Sequence, residues 1–301
     1  MQYHNHDSFD EHHDCQTKNM KKLLIVFCLT IVYMIAEFVG GVLSNSLALM
    51  ADAGHMLSDA AALGISVAAA WLSLRPASFS KTYGYHRAEI FAALINGLAL
   101  VAISSLIVYE AYLRVVNPPE VQAPLMIIVA FGGLIVNIIA ASILHGSSQD
   151  NINVKGAFLH VLGDLLGSVG AVVAGFAIYF FDFYLADPII SFVIAALILL
   201  SAFRIIGESV NVLFEASPSH IDVEAVQNTL LALDNAKYVH HLHVWSISSG
   251  KVAMSVHIVV NDYGNHQILY DAKNILREKF GINHSTIQIE PEDFDSESCV
   301  F

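Results

Sequence analysis

Residues 51–64 read ADAGHMLSDAAALG and lie inside an apolar run from 47 to 74, longer than the ~20 residues a helix needs to cross a bilayer. His55 and Asp59 stand four apart in it. On a helix that spacing stacks two side chains on one face, about one turn apart. An Asp at the centre of a membrane helix costs about 2.5–3.5 kcal/mol on insertion scales, and such residues mark ion pathways and binding sites. A second copy of the pattern, His160 and Asp164, lies 105 residues further on in LHVLGDLLGS, within another apolar run.

Apolar runs at 23–43, 47–74, 89–113, 122–145, 156–181 and 189–213 predict six transmembrane helices. Breaks at Ser44-Asn45-Ser46, Arg75-Pro76, Asn117-Pro118-Pro119 and Asp182–Pro188 separate them. The composition agrees: 55% of the 301 residues are apolar and 14% are charged, against about 25% charged in soluble domains. A net charge of −13 excludes a general nucleic-acid binder. Cys15, Cys28 and Cys299 form no CxxC and no disulfide framework. The first apolar run is too long for a signal-peptide core, so no cleaved leader is expected.

Four regions are expected. Residues 1–19 form a polar, His-rich tail, 20–215 the six-helix domain, 216–291 a soluble domain and 292–301 a short tail. Lys18, Lys21, Lys22, Arg75, Lys81, Arg87 and Lys155 all fall on one side of the membrane, while the segments 44–46, 116–121 and 182–187 contain no Lys or Arg. The positive-inside rule therefore makes both termini cytoplasmic, which in a bacterium means a multi-pass protein of the inner membrane. The two His–Asp pairs fall in the second helix of each three-helix half, and these helices run in opposite directions. That is the pattern of an inverted repeat, which places a site near the midplane. In the soluble part, helix 221–233, strands 238–247 and 251–260, helix 265–280 and strand 284–290 make a ferredoxin-like α+β domain. Its core is small, and dimerisation would help it.

Two imidazoles and two carboxylates on facing helices offer the four N/O donors of a tetrahedral Zn²⁺ site. The absence of cysteine disfavours Cu(I), and the histidines disfavour Mg²⁺ and Ca²⁺. One such pair reads equally well as interhelical hydrogen-bonding glue; two in matching positions favour the metal. A divalent cation neutralises the two carboxylates, and so do two protons. Because metal ligation needs deprotonated ligands, one site can exchange metal for protons. Asp52 reads as an interfacial residue, and Glu37, Asn96 and Asn137 as polar glue or cavity lining. A hydrolytic zinc enzyme would carry a general base such as the Glu of HExxH beside its ligands, and neither pair has one, so no enzyme is expected.

Four motifs carry a resemblance: SNSLALMADAGHMLSD (44–59), YGYHRAEIFAALING (83–97), NINVKGAFLHVLGDLLGSVG (151–170) and HHLHVWSISSG (240–250). From about residue 20 to 290 the chain resembles the cation diffusion facilitators, in the branch of the bacterial cobalt–zinc–cadmium resistance exporters and the animal zinc transporters. The resemblance implies a homodimeric Zn²⁺/H⁺ antiporter, with Cd²⁺ or Co²⁺ as further substrates and His55, Asp59, His160 and Asp164 as the transport site. It further implies zinc ligands at His240, His257, His266 and Glu290 in the cytoplasmic domain. His86 would lie at an interfacial site, although Lys81 and Tyr85 stand where some members carry histidines. His13 and Cys15 are a weak version of the family's His–Cys tail motif. The alternative is a non-transporting membrane zinc sensor or partner subunit, which would not need both His–Asp pairs.

Overall fold

The structure, a computed structural model, describes residues 7–73, 75–145, 152–248, 250–264 and 266–292, with side chains from residue 23 onward except at 66, 70, 73, 152, 153 and 156. Eight helices and three strands follow one another in the order α1 Asp7–Ser44, α2 Leu47–Ser73, α3 Ala88–Val116, α4 Ala123–His145, α5 Ile152–Phe181, α6 Ala186–Leu213, α7 Val223–Leu231, β1 Ala236–Ser248, β2 Lys251–Val260, α8 Gln267–Phe280 and β3 His284–Pro291. Their contacts divide them into two units, Met1–Gly64 with Asn96–Phe203 and Ile65–Ile95 with Arg204–Phe301.

Among the described residues, five helical stretches are long and apolar enough to cross a membrane: Leu23–Ser44, Ala88–Val116, Ala123–His145, Ala157–Phe181 and Ala186–Leu213. The expected sixth, α2, has 27 residues, Asp52, His55 and Asp59 among them; it is not one of these stretches, and its positions 66, 70 and 73 fall outside the described side chains. Outward side chains such as Val32, Leu106, Ile128, Leu166 and Leu200 are exposed, as a lipid-facing surface requires.

In the first unit α4 packs on both α1 and α5. Its buried residues, Ala123, Met126, Ala130, Gly133, Asn137, Ala140 and Leu144, recur at alternating three- and four-residue steps and form one stripe. The stripe is mostly small, which lets helices approach closely without a hydrophobic driving force. Gly133 is required: a Cβ there would lie 2.1 Å from the Tyr33 hydroxyl oxygen. That hydroxyl lies 3.1 Å from both Glu37 Oε1 on its own helix and the Val129 carbonyl on α4, positioned to donate to either. Asn96 and Asn137 act as the polar glue expected of them. Ser58 donates to Asn96 Oδ1 at 3.2 Å, and Asn137 donates to Ser168 at 3.1 Å.

The N-terminus of α2 is held from α6. Asp187 is fully buried, and its carboxylate accepts from Ser46 Oγ at 2.6 Å, Leu47 N at 2.8 Å and Ala48 N at 3.1 Å. These backbone N–H groups lack partners within their own helix, and a carboxylate satisfies both them and the positive end of the helix dipole. Arg114 Nη1 lies 3.7 Å from the same carboxylate. The helix that carries His55 and Asp59 thus starts at a fixed point.

The second unit holds a three-stranded mixed sheet in the order β1-β2-β3, with β1/β2 antiparallel and β2/β3 parallel. Val226 and Leu230 of α7 and Ile268, Ala272 and Leu276 of α8 cover one face, packing with Val239, Val244, Met254, Val256 and Ile258. Asp222 caps α7 by accepting from Ala225 N, and Gly281 ends α8 at φ 68°, a left-handed position that glycine adopts without penalty. Helices and strands fall within a few residues of the sequence reading. In the loop before α3, Lys81 lies 4.1 Å over the ring of Tyr85. The hydrogen bond and charge of Lys81 hold that phenol below its usual range.

Candidate metal centres

The i, i+4 spacing on α2 brings His55 Nε2 to 3.5 Å from Asp59 Oδ2, and the same spacing on α5 brings His160 Nε2 to 3.6 Å from Asp164 Oδ2. Among these four residues one contact joins the helices: His160 Nε2 lies 3.3 Å from the same Asp59 Oδ2. The four residues form a chain, His55–Asp59–His160–Asp164. The two imidazole rings lie 6.0 Å apart at 66°. Asp164 is 4% exposed, whereas His160 is 45% exposed and open to a ligand.

Both His55 Nδ1 and Asp59 Oδ2 are buried without a hydrogen-bond partner among the described residues. Asp59 Oδ2 therefore has two imidazole nitrogens near it at ion-pair distance and bonds to neither. Orphaned buried polar atoms are costly and rare. Two ligands held about 2.0–2.1 Å from a tetrahedral zinc are roughly 3.3 Å apart, and the three contacts here are 3.3–3.6 Å. The spacing suits a shared cation better than a direct bond.

A second set lies on the sheet face away from the helices. His240 on β1 pairs in register with His257 on β2, and Glu290 ends β3. His240 Nε2 is 2.8 Å from Glu290 Oε2, and His257 Nδ1 is 2.7 Å from Glu290 Oε1. Each carboxylate oxygen is faced by one imidazole, and Gln288 Nε2 donates to Oε1 at 2.8 Å. Despite its short separation, His257 Nδ1 makes no hydrogen bond, so its lone pair or proton points elsewhere. Among the described residues this is the only set of three such side chains whose donor atoms all lie within 4.8 Å of one another. Glu290 is 2% exposed, and burying a carboxylate that deeply requires a compensating charge. Two imidazoles and a carboxylate fit a zinc-type ion.

Other expected ligands fall elsewhere. His266 is exposed at the N-terminus of α8, outside the sheet set. Among the described residues His86 joins no metal-ligand set; Lys251 Nζ lies 3.2 Å from its Nδ1 and 3.1 Å from its Nε2. An ammonium in that position repels a metal cation. The side chains of His13 and Cys15, and Cys299 altogether, lie outside the described residues.

Two groups were missed or misread from sequence. Asp52 is 3% exposed, and its carboxylate sits against Gly167 of α5. Glu37 is fully buried too, and its Oε2 has no hydrogen-bond partner among the described residues. The heptad separation of Asp52 from Asp59 places both on one face of α2 and was the available signal. The capping role of Asp187 had no local signal, because its partners lie about 140 residues away in the chain.

Comparison with known proteins covers nearly the whole chain. Residues 23–214 match the cation efflux transmembrane domain, and residues 218–292 match the cytoplasmic domain of cation efflux proteins. The chain is 42% identical to a cadmium, cobalt and zinc/H(+)-K(+) antiporter of Bacillus subtilis, over 96% of this chain and 94% of that protein. It is 40% identical to the zinc transporter ZitB of Escherichia coli, over 98% of this chain and 95% of that one. A solved structure described as the metal-bound C-terminal domain of the CzcD transporter from Cupriavidus metallidurans is 37% identical over 23% of this chain and 99% of its own length; its TM-score is 0.22, too low to carry a structural argument.

Proposed function

The chain belongs to the cation efflux family, the cation diffusion facilitators, and on that premise we propose that it exports zinc from the cytoplasm in exchange for protons. The observation that carries this reading is the chain of donors from His55 to Asp164, set in long apolar helices with two of its polar atoms unpartnered. In this reading α2 is the sixth span, both termini are cytoplasmic, and the soluble unit is a ferredoxin-like domain of a homodimer. The names of a similar cadmium, cobalt and zinc antiporter and a similar zinc transporter support these three ions as substrates. The molecule acts as a transporter rather than an enzyme.

Asp59 holds the central position. Its Oδ2 faces an imidazole on its own helix and one on α5. A dication bound there neutralises Asp59 and Asp164 and gives the unpartnered Asp59 Oδ2 a partner. Displacement of the metal leaves the same carboxylates in an apolar helix bundle, where protons must replace it. Ligand protonation and metal binding therefore exclude each other, and this exclusion couples the two fluxes. Movement of α2 relative to α5 opens the contact between His160 and Asp59 and lets the ion leave, as alternating access requires.

The sheet set fits a resident metal ion, with His240, His257 and Glu290 as its ligands. Such an ion would neutralise the buried Glu290 and tie the three strands together. Zinc flux into vesicles containing purified protein, under an imposed pH gradient, tests the assignment. Asp59→Ala and Asp164→Ala are expected to stop flux. Flux equal to the parent in both would overturn the site, and flux indifferent to the pH gradient would overturn the exchange.

A further inference from the structure

β1 contains an irregularity at the sheet set. His240 pairs with His257 and His243 with Ser255, so three steps along β1 match two along β2. One residue is therefore extra, which defines a β-bulge. His241 is in the bulge at φ 48°. A left-handed residue other than glycine is uncommon, although histidine is among those that tolerate it, and such residues gather at functional sites.

The bulge changes the face on which His241 lies. In a regular strand side chains alternate, so His241 would point to the helix-covered side. Here Val239, Leu242 and Val244 pack with the helix-side core. That leaves both His240 and His241 for the opposite face, between two core residues. The ring contacts agree. His240 to His241 is 5.0 Å between ring centres, His240 to His257 is 5.1 Å, and His241 to His257 is 5.2 Å. The three imidazoles form a nearly equilateral triangle. An imidazole bound to zinc through a nitrogen at about 2.0–2.1 Å has its ring centre roughly 3.2 Å from the ion, so two of them at the tetrahedral angle have centres roughly 5.2 Å apart. All three separations match this value. The next imidazole on β1, His243, is 6.5 Å from His241 and lies outside the pattern.

We propose that His241 is the fourth ligand of the cytoplasmic site, completing a set of three imidazoles and one carboxylate around a zinc-type divalent ion. This rests on the reading of His240, His257 and Glu290 as a metal site. Those three already have donor atoms within 4.8 Å of one another, and the His241 ring stands 5.0 Å from that of His240 and 5.2 Å from that of His257. The bulge is then the device that converts a two-histidine strand pair into a closed tetrahedral site.

The test uses the full-length protein in detergent, with Asp59→Ala and Asp164→Ala to silence the helix set, and Co²⁺ as the probe. Four-coordinate Co²⁺ has an intense visible absorption, and Zn²⁺ competes it away. His241→Asn removes the imidazole but keeps a residue that tolerates the left-handed backbone. It is expected to weaken Co²⁺ binding about 100-fold and to change the absorption of what remains, since even outer partners of a ligand are worth roughly 10–100-fold. His241→Gly, which favours the same backbone, is expected to do the same, and guards against a variant that fails to fold. His257→Ala is expected to abolish the signal. Unchanged affinity and spectrum in both His241 variants would overturn the fourth ligand and leave the triad standing. An unchanged signal in His257→Ala as well would overturn the triad itself.

Discussion

In the helix set four donors run in series, two from α2 and two from α5, and a single contact of 3.3 Å between His160 and Asp59 closes the gap between helices. In the sheet set three donors come from three neighbouring strands, and their spacing is fixed by the backbone register of β1, β2 and β3. The same residue types serve both. What differs is how the protein holds them. Neighbouring strands cannot separate without breaking a hydrogen-bonded ladder. Two helices joined by side chains can shift relative to one another. The first arrangement can take up and release an ion; the second suits an ion that stays.

The largest effect expected from this contrast is on transport. Asp59→Ala should lower zinc flux in proteoliposomes by about 100-fold or more, because a ligand outweighs the roughly 10–100-fold value of its outer partners. His257→Ala should leave most of the flux intact. Equal loss in both variants would show that the sheet set is part of the transport path and would end the distinction.

Asp187→Ala should come next. It leaves Arg114 without a buried partner and the first N–H groups of α2 uncapped, which together cost about 3 kcal/mol or more in stability. Denaturation in detergent would measure it. A normal transition with reduced flux would show instead that the clamp positions the helix site without holding the fold.

Gly133→Ala forces a methyl group against Tyr33 and should cost about 1–3 kcal/mol. Gly64→Ala meets nothing within 4 Å and should be neutral or slightly stabilising on the helix-propensity scale. Thermal unfolding of the pair separates close packing of α1 on α4 from a general intolerance of the bundle.

The smallest effect concerns His86. His86→Ala should leave zinc stoichiometry unchanged, because the Lys251 ammonium faces that ring. Loss of one bound zinc would reverse this assignment and add a third region to the comparison.

The helices, the strands and the i, i+4 logic of the two His–Asp pairs were legible in the chain because each follows from local periodicity. Length and apolarity mark a span, alternation marks a strand, and four residues make one turn. The family motifs extended the reading to His240, His257 and Glu290. Only the tertiary structure decided which of these donors meet. It joined Asp59 to His160 across 101 positions, brought Asp187 to the start of α2, buried Asp52, set Lys251 against His86 and left His266 outside the triad. It also revealed the bulge at His241, whose only trace in the sequence is one extra polar residue in the alternation of Val239 to Val244. The reason is the same throughout. Periodicity within an element is fixed by backbone geometry, whereas contacts between elements depend on how whole surfaces pack.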